Sequence, residues 1–155
     1  MSNQGYMLRT QPSIEDMVSE ALDIIREAQE IYAPKRTYAM VSGGNDSITM
    51  LHLVRPYIDA AVHINTGIGI QETTQFVRDT CVDWGIPLIE LVTPPETYVD
   101  ILMRANGFPG PALHATCYHR LKSERLHELQ RDYSKRGEKL LLLSGAREHE
   151  SGRRM

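Results

Sequence analysis

The sequence predicts a doubly wound α/β fold, in which a parallel sheet carries helices on both of its faces. Short apolar runs alternate along the chain with segments of helical periodicity, and this alternation places parallel strands between crossover helices. The last apolar run, at residues 139–144, contains four consecutive leucines and is typical of a strand buried on both faces. A glycine-rich turn at residues 42–47 follows the first apolar run, at the strand end where sheets of this class bind ligands.

A long helix is predicted ahead of the first strand. Ser13 is a candidate N-cap, and Asp16 stands three residues later, as in a capping box. Apolar side chains then recur at helical spacing until Pro34 ends the segment. The residues that carry this period are Ile14, Met17, Val18, Ala21, Leu22, Ile25, Ala28 and Tyr32. We therefore expect an N-terminal helical segment over residues 1–34, followed by the sheet over residues 35–155, in one domain overall.

Four strands and four further helices follow in alternation. The predicted strands are residues 37–41, 60–65, 87–92 and 139–144. The predicted helices are residues 48–54, 72–84, 95–107 and 115–136, and the last of them is long and polar. Gly85 stands where the second of these helices should stop, because glycine readily adopts the left-handed conformation common just after a helix.

Composition limits the classes of function. The chain has 155 residues and a net charge of −3, which argues against a broad nucleic-acid-binding surface. No apolar run is long enough to cross a membrane, and the polar N-terminus does not resemble a signal peptide. Two cysteines, Cys81 and Cys117, cannot build a disulfide framework, so we expect a reducing, cytoplasmic location. The six histidines show no zinc spacing, and we expect no metal ion bound by protein ligands alone.

The glycine-rich turn has the chemistry of an anion site. A strand, a tight turn and a helix N-terminus together point backbone N–H groups outward, and the helix dipole favours negative charge there. Two glycines let the backbone approach a ligand closely, and two serines add hydroxyl donors. The predicted anion-binding residues are Ser42, Gly43, Gly44, Asn45, Asp46 and Ser47. The Asp46 side chain could orient the turn or hold Mg²⁺, and it could equally act only as a cap of the helix.

The glycine spacing separates this turn from two other phosphate-binding loops. A Walker A loop needs four residues between its glycines, followed by Gly-Lys-Ser/Thr. A dinucleotide fingerprint needs a third glycine that is missing here. The six residues instead match the SGGxDS signature of a pyrophosphate-binding loop, the PP-loop.

Two more polar turns follow predicted strands and should lie at the same edge of the sheet. One is Asn65, Thr66 and Gly67, after the second strand, and the other begins at Ser144 and Gly145, after the fourth. Three arginines follow the second of these turns: Arg147, Arg153 and Arg154. Guanidinium groups match the geometry of phosphate and sulfate, so we expect the arginines to bind them, although a solvated polar tail would have the same composition.

These motifs together resemble the phosphoadenosine phosphosulfate (PAPS) reductase family of the PP-loop ATP pyrophosphatase superfamily. The resemblance runs from Lys35 to the end of the chain and includes the segments at residues 42–47, 65–73, 108–111, 117–122 and 145–151. It implies the Rossmann-like fold of the adenine nucleotide alpha hydrolases. It also implies an adenine nucleotide, PAPS or ATP, as ligand, with Mg²⁺ when the ligand is ATP. In that family the PP-loop binds the phosphosulfate or pyrophosphate, the second turn lies near the nucleoside, and the late arginines bind phosphate.

The chain departs from the family pattern in three places. Asn65 stands where the family often has an aspartate, which removes a negative charge and adds a donor. The family's reductases use a cysteine in a C-terminal segment, but no cysteine follows Cys117 here. The sequence ends at Met155, where a further strand and tail would normally follow, so we expect a fragment or a shortened family member.

Three functions stay open on the sequence alone. A PAPS reductase needs a thiolate, and Cys117 is the credible nucleophile because cationic residues surround it, although a structural cysteine is an equal alternative. Its partner would be a thiol reductant or a sulfur carrier, and no iron–sulfur cluster is expected because a cubane needs four thiolates. An AMP-forming adenylating enzyme or sulfurtransferase is the second alternative. The third is a non-catalytic nucleotide-binding module or partner subunit, and homo-oligomers are compatible with all three.

Overall fold

Four parallel strands and six α-helices alternate along residues 13–145, which are the residues that the computed structural model describes. The strands are β1 Arg36–Met40, β2 Ala60–Asn65, β3 Leu88–Val92 and β4 Leu140–Leu143. The helices are α1 Ile14–Tyr32, α2 Asn45–Val54, α3 Gln71–Asp83, α4 Pro95–Ala105, α5 His114–Tyr118 and α6 Glu124–Lys135. A single π-helical turn, His119–Ser123, joins α5 to α6.

The sheet has the strand order β3-β2-β1-β4, and all of its neighbouring strands are parallel. From β1 the chain builds outward through β2 to β3 and then returns to the other side of β1 for β4. The strand order therefore reverses between β1 and β4, which is the topological switch point of a doubly wound sheet. The predicted fold class is confirmed.

Both faces of the sheet are covered by helices. One core contains Ile25 of α1, Leu51 of α2 and Val77 of α3 against Ala39 and Ala61 of the central strands. The other core packs Tyr133 of α6 against the opposite face, formed by Tyr38, Ala60 and Val62. Alternate residues of β1 and β2 thus enter different cores, which explains the consecutive apolar residues at 38–40 and 60–62. None of the helices formed by residues 13–145 is long and apolar enough to cross a membrane.

Helix α1 begins as the sequence predicts, but it buries little of its apolar surface. The Ser13 hydroxyl accepts from the Asp16 amide at 3.1 Å, and the Asp16 carboxylate accepts from the Ser13 amide at 3.2 Å, which completes the capping box. Of the residues in the helix, Ile25 alone is buried, whereas Ile24 and Ile31 are 60% and 64% exposed. The apolar face is therefore wider than the strip of the helix that contacts the rest of the domain.

One prediction about the later elements is incomplete and another is wrong. The segment predicted as a helix over residues 115–136 is helical over its length, but it contains an unpredicted π-helical turn at His119–Ser123. The burial of β4 on both faces also fails, since all four of its residues are only partly buried. The reason is its position: β4 pairs with β1 and forms one edge of the sheet described here.

A buried tyrosine pair links β1 to α6 and makes stability depend on pH. The Tyr38 and Tyr133 hydroxyl oxygens lie 2.6 Å apart. Burial, followed by the hydrogen bond with Tyr133, raises the pKa of Tyr38 to about 12. A raised folded-state pKa contributes stability that is complete below the unfolded value of about 10 and is lost as the pH rises through the folded value.

We therefore expect the free energy of unfolding to fall as the pH rises from about 10 to about 12. The Tyr38→Phe variant lacks this titrating group, so its unfolding free energy should fall less steeply over the same interval. Urea titrations of both proteins at several pH values measure the two slopes, and equal slopes would show that Tyr38 does not titrate abnormally.

Candidate functional site

The PP-loop, residues 42–47, runs from the end of β1 into the first turn of α2. Gly43 has a φ of +86°, and a Cβ built there would lie 2.6 Å from Cγ2 of Thr73. Gly43 is thus required both by its backbone conformation and by the close approach of α3. Gly44 differs, because its φ is −79° and a Cβ there would meet only the Ser42 hydroxyl, at 3.6 Å. The space in front of Gly44 is open, as an anion site requires.

The two serines of the PP-loop hold its shape. The Ser47 hydroxyl donates to the Gly44 carbonyl at 2.8 Å and accepts from the Ser42 amide at 3.2 Å. The Ser42 hydroxyl lies 3.1 Å from that of Ser47 and accepts from the Gly44 amide at 3.4 Å. Ser47 is buried and Ser42 is exposed, so the inner serine stabilises the turn while the outer one faces the solvent.

The N-terminus of α2 carries no side-chain cap. Gly44 is its N-cap residue and offers no hydroxyl or carboxylate to the N–H groups of the first turn. Those groups lie at the positive end of the helix dipole, where an anion is stabilised. Asn45 and Asp46 occupy the first turn and are exposed.

A cleft of about 340 Å³ opens beside the PP-loop at the carboxyl ends of β1 and β2, and we call it the strand-end cleft. Its volume lies in the range typical of small-molecule sites. The lining residues come from both strand ends, from the start of α3 and from the π-helical turn: Met40, Val41, Ser42, Val62, His63, Ile64, Asn65, Thr66, Gly69, Ile70, Thr73, Thr74 and Lys122. The structure therefore brings Ser42, the first residue of the PP-loop, together with Asn65 and Thr66 at one cavity, whereas residues 43–47 and Gly67 do not line it.

His63 forms a buried wall of the strand-end cleft. Its Nδ1 lies 2.8 Å from the Val41 carbonyl, which can only accept, so Nδ1 donates. Its Nε2 lies 3.4 Å from the Thr74 hydroxyl. The imidazole thereby links the ends of β1 and β2 to the start of α3.

The side chain of Asn65 is engaged within the protein at both of its polar atoms. Its amide nitrogen donates to Oε1 of Glu90 at 2.8 Å, and its oxygen accepts from the Gly67 amide at 3.0 Å. Arg78 of α3 donates two hydrogen bonds of 2.8 Å to the same carboxylate, one to each oxygen. These contacts, that of Arg78 first, hold the pKa of Glu90 below its usual range.

Lys122 is a site residue that the sequence reasoning missed. Leu121 beside it is buried, and its carbonyl accepts from the Thr93 hydroxyl at 2.7 Å. Arg120 forms an ion pair with Asp100 of α4, and this hydrogen bond is the first cause of the low pKa of that carboxyl group. With its neighbours anchored in this way, Lys122 is exposed and lines the strand-end cleft. The sequence signal was the motif at residues 117–122, but nothing in it showed which side chain reaches the cleft.

The two cysteines lie in different environments. Cys81 is 1% exposed, and burial raises the pKa of its thiol, so it is a residue of the core. Cys117 is partly buried and is the fourth residue of the short helix α5. It is not among the residues that line the strand-end cleft. The structure therefore does not bring the candidate nucleophile to the walls of this cavity.

The turn after β4 also reaches the PP-loop helix. A Cβ at Gly145 would lie 2.9 Å from the Asp46 carbonyl oxygen and 3.2 Å from Cβ of Met50, so only glycine fits this approach. The predicted phosphate ligands beyond it, Arg147, Arg153 and Arg154, lie outside the described residues. Between residues 13 and 145, no group of three or more histidine, cysteine, aspartate or glutamate side chains is placed to hold a metal ion.

The fold and the PP-loop define the class of protein: a PP-loop protein of the Rossmann-like α/β type. The chain belongs to the family of the phosphoadenosine phosphosulfate reductase domain, whose sequence profile matches residues 36–155. No curated protein sequence resembles the chain significantly.

Solved structures of other proteins share this fold, and two of them match most of this chain. One is an NH3-dependent NAD synthetase from Campylobacter jejuni subsp. jejuni NCTC 11168 in complex with the nitrate ion, with a TM-score of 0.62 and 15% identity over 88% of this chain and 58% of that one. The other is an NMN synthetase from Francisella tularensis, with a TM-score of 0.62 and 14% identity over 79% of this chain and 52% of that one. The chain thus spans little more than half the length of either structure.

Proposed function

We propose that the strand-end cleft binds an adenine nucleotide, with its phosphosulfate or pyrophosphate end on the PP-loop and its nucleoside toward the Asn65 turn. The observation that carries this proposal is the uncapped N-terminus of α2 behind the open face of Gly44, at the edge of a cavity of nucleotide size. Lys122 supplies a positive charge at the same cavity. The side chain of Lys122 forms no ion pair or hydrogen bond with any other residue between 13 and 145, so its charge is available to a ligand.

The family suggests PAPS as the nucleotide and sulfur transfer or reduction as the reaction. In that chemistry a thiolate attacks the sulfonate sulfur, a sulfur–sulfur bond forms, and the sulfur–oxygen bond to the phosphate breaks. The products are a thiosulfonate and adenosine bisphosphate, and a second thiol then releases sulfite as a disulfide forms. The residues of the strand-end cleft bind and orient the nucleotide for this step, but Cys117 does not line the cleft. The attacking thiol would therefore come from a separate reductant, a sulfur carrier or another part of the protein.

An AMP-forming reaction of ATP is the second candidate, and the lack of a cysteine in the wall of the cleft favours it. Mg²⁺ is held in such sites by one or two carboxylates together with the phosphates of the substrate. Asp46 is the acidic residue in the first turn of α2 and would be the carboxylate that holds a phosphate-bound ion. When bound, Mg²⁺ would neutralise charge on the phosphates. The backbone amides of the PP-loop and the ammonium group of Lys122 would orient these phosphates.

Product analysis separates these reactions. With PAPS and a thiol reductant, we expect the isolated chain to release little or no sulfite. With ATP, Mg²⁺ and an acceptor, AMP and pyrophosphate are expected if the chain adenylates, and neither if it is a binding module. Robust sulfite release that persists in Cys117→Ser would show that a different group of this chain, or the added thiol itself, attacks the sulfur. Thiol or carrier partners, self-association and a cytoplasmic location remain parts of this proposal.

A further inference from the structure

Asn65 stands where family members often have aspartate, and its side chain is bound to Glu90 of the neighbouring strand. In the sheet, Glu90 of β3 lies directly opposite His63 of β2, so Asn65 is its diagonal neighbour on the same face. Arg78 approaches the Glu90 carboxylate from α3 with two hydrogen bonds. Arg78 and His63 are the charged or titratable groups that act on this carboxylate. Glu90 therefore has a fixed position and a fixed negative charge.

The identity of residue 65 follows from that negative charge. The Asn65 amide nitrogen lies 2.8 Å from Oε1 of Glu90, where an aspartate would place a second carboxylate oxygen. Two carboxylates at this separation repel, and one of them must take up a proton. Asparagine avoids the conflict because it presents a donor to Glu90 and keeps an acceptor for the Gly67 amide. Asn65 and Glu90 are thus a matched pair.

The hydrogen bond from Gly67 connects this pair to the cavity. Gly67 has a φ of +73°. The hydrogen bond from its amide to the side-chain oxygen of Asn65 helps to fix this conformation. The turn that it opens, residues 66–70, supplies Thr66, Gly69 and Ile70 to the strand-end cleft. A disturbance at residue 65 is therefore transmitted to the part of the cleft that Thr66, Gly69 and Ile70 form.

We propose that Asn65 is a positioning residue, which Glu90 and Arg78 orient so that it fixes the turn at residues 66–70, and that it does not itself bind the nucleoside. This inference rests on the proposed nucleotide function. It assigns nucleoside recognition to the backbone and the Thr66 side chain of the turn. The pairing also explains how the family's aspartate can be absent from this chain without loss of the turn.

The test compares Asn65→Asp with the double variant Asn65→Asp/Glu90→Gln. In the double variant the glutamine amide introduced on β3 can donate to the aspartate introduced on β2, which restores the hydrogen bond between positions 65 and 90 with its polarity reversed but removes the acceptor of Arg78 Nη2. Asn65→Asp should weaken binding of ATP or PAPS by about tenfold or more at neutral pH, and the double variant should recover to within about threefold of the wild type. Inorganic pyrophosphate, which needs only the PP-loop, should bind all three proteins alike.

A second readout needs no nucleotide. The Gly67 amide should exchange with solvent faster in Asn65→Asp than in the wild type and return toward the wild-type rate in the double variant. The nucleotide-binding defect of Asn65→Asp should also shrink as the pH falls and one proton bridges the two carboxylates, with wild type titrated in parallel because His63 is nearby.

Two results overturn the inference. Equal nucleotide affinity and equal Gly67 exchange in wild type and Asn65→Asp would show that residue 65 does not position the turn. A double variant as weak as Asn65→Asp, when Glu90→Gln alone binds like the wild type, would show that the asparagine contacts the ligand directly. If the wild type binds pyrophosphate but no nucleotide, the proposed function fails, and the Gly67 exchange rates then decide the inference separately.

Discussion

Gly44→Val is expected to abolish nucleotide binding, with a loss of affinity greater than about a hundredfold, in a protein that still folds. The φ of −79° and ψ of 157° at Gly44 suit a branched residue, and a Cβ there meets no atom closer than 3.6 Å. The valine side chain would extend into the open space before the first turn of α2 and occupy the place of the anion. Calorimetric titration with ATP or PAPS measures the loss, and circular dichroism with thermal unfolding confirms the fold.

Gly110→Val is the matched control for this variant. Gly110 is also the N-cap of a helical turn, with a φ of −80°, and nothing lies within 4 Å of a Cβ built there. It lies outside the PP-loop, at the start of a helical turn between α4 and α5, so this variant should bind like the wild type. A folded Gly44→Val protein with unchanged affinity would contradict the assignment of residues 42–47 as the anion site.

Lys122→Met should weaken nucleotide binding by about ten- to a hundredfold. A charge-assisted hydrogen bond is worth about 1.5–3 kcal/mol, and methionine keeps the length of the side chain without its charge. The loss should be smaller at high salt, because the cleft is open and added ions screen an exposed charge. Titrations at low and high ionic strength give both the affinity and its salt dependence.

Lys35→Met removes an equivalent charge at the other end of the sheet, since Lys35 is exposed and directly precedes β1. This control should leave the affinity nearly unchanged. Equal losses in the two variants would mean that Lys122 acts only through the net charge of the protein, and no loss in Lys122→Met would remove it from the site.

The fold was predictable because its signals are local. Each of these signals, namely apolar runs, helical periodicity and the Ser13 capping box, can be recognised from a few neighbouring residues. All four strands lie where the apolar runs predict them. The PP-loop was predictable for the same reason. Its hydrogen bonds join residues at most five positions apart.

The features that the sequence did not predict depend on contacts between distant segments. The π-helical turn that carries Lys122 to the cleft is anchored by Thr93, and Asn65 is held by Glu90 and Arg78. The partial burial of β4 depends on its place at the edge of the sheet rather than on its leucines. No local pattern of the sequence encodes such partners. The sequence therefore identifies a turn as polar, but it does not show which of its side chains already form hydrogen bonds within the protein.

The most direct test of the central claim measures the free energy of unfolding of the intact chain in the presence of different ligands. The ligands are ATP with Mg²⁺, PAPS, adenosine bisphosphate and adenosine, each with and without pyrophosphate. A ligand that binds only the folded state raises its stability by about 2.7 kcal/mol at a hundredfold excess over Kd. We expect at least one of the phosphorylated nucleotides to stabilise the protein and adenosine to stabilise it much less. Pyrophosphate should reduce the additional effect of the nucleotide, because both occupy the PP-loop. Stabilisation by adenosine equal to that by the nucleotides, or no stabilisation by any of them, would contradict the account.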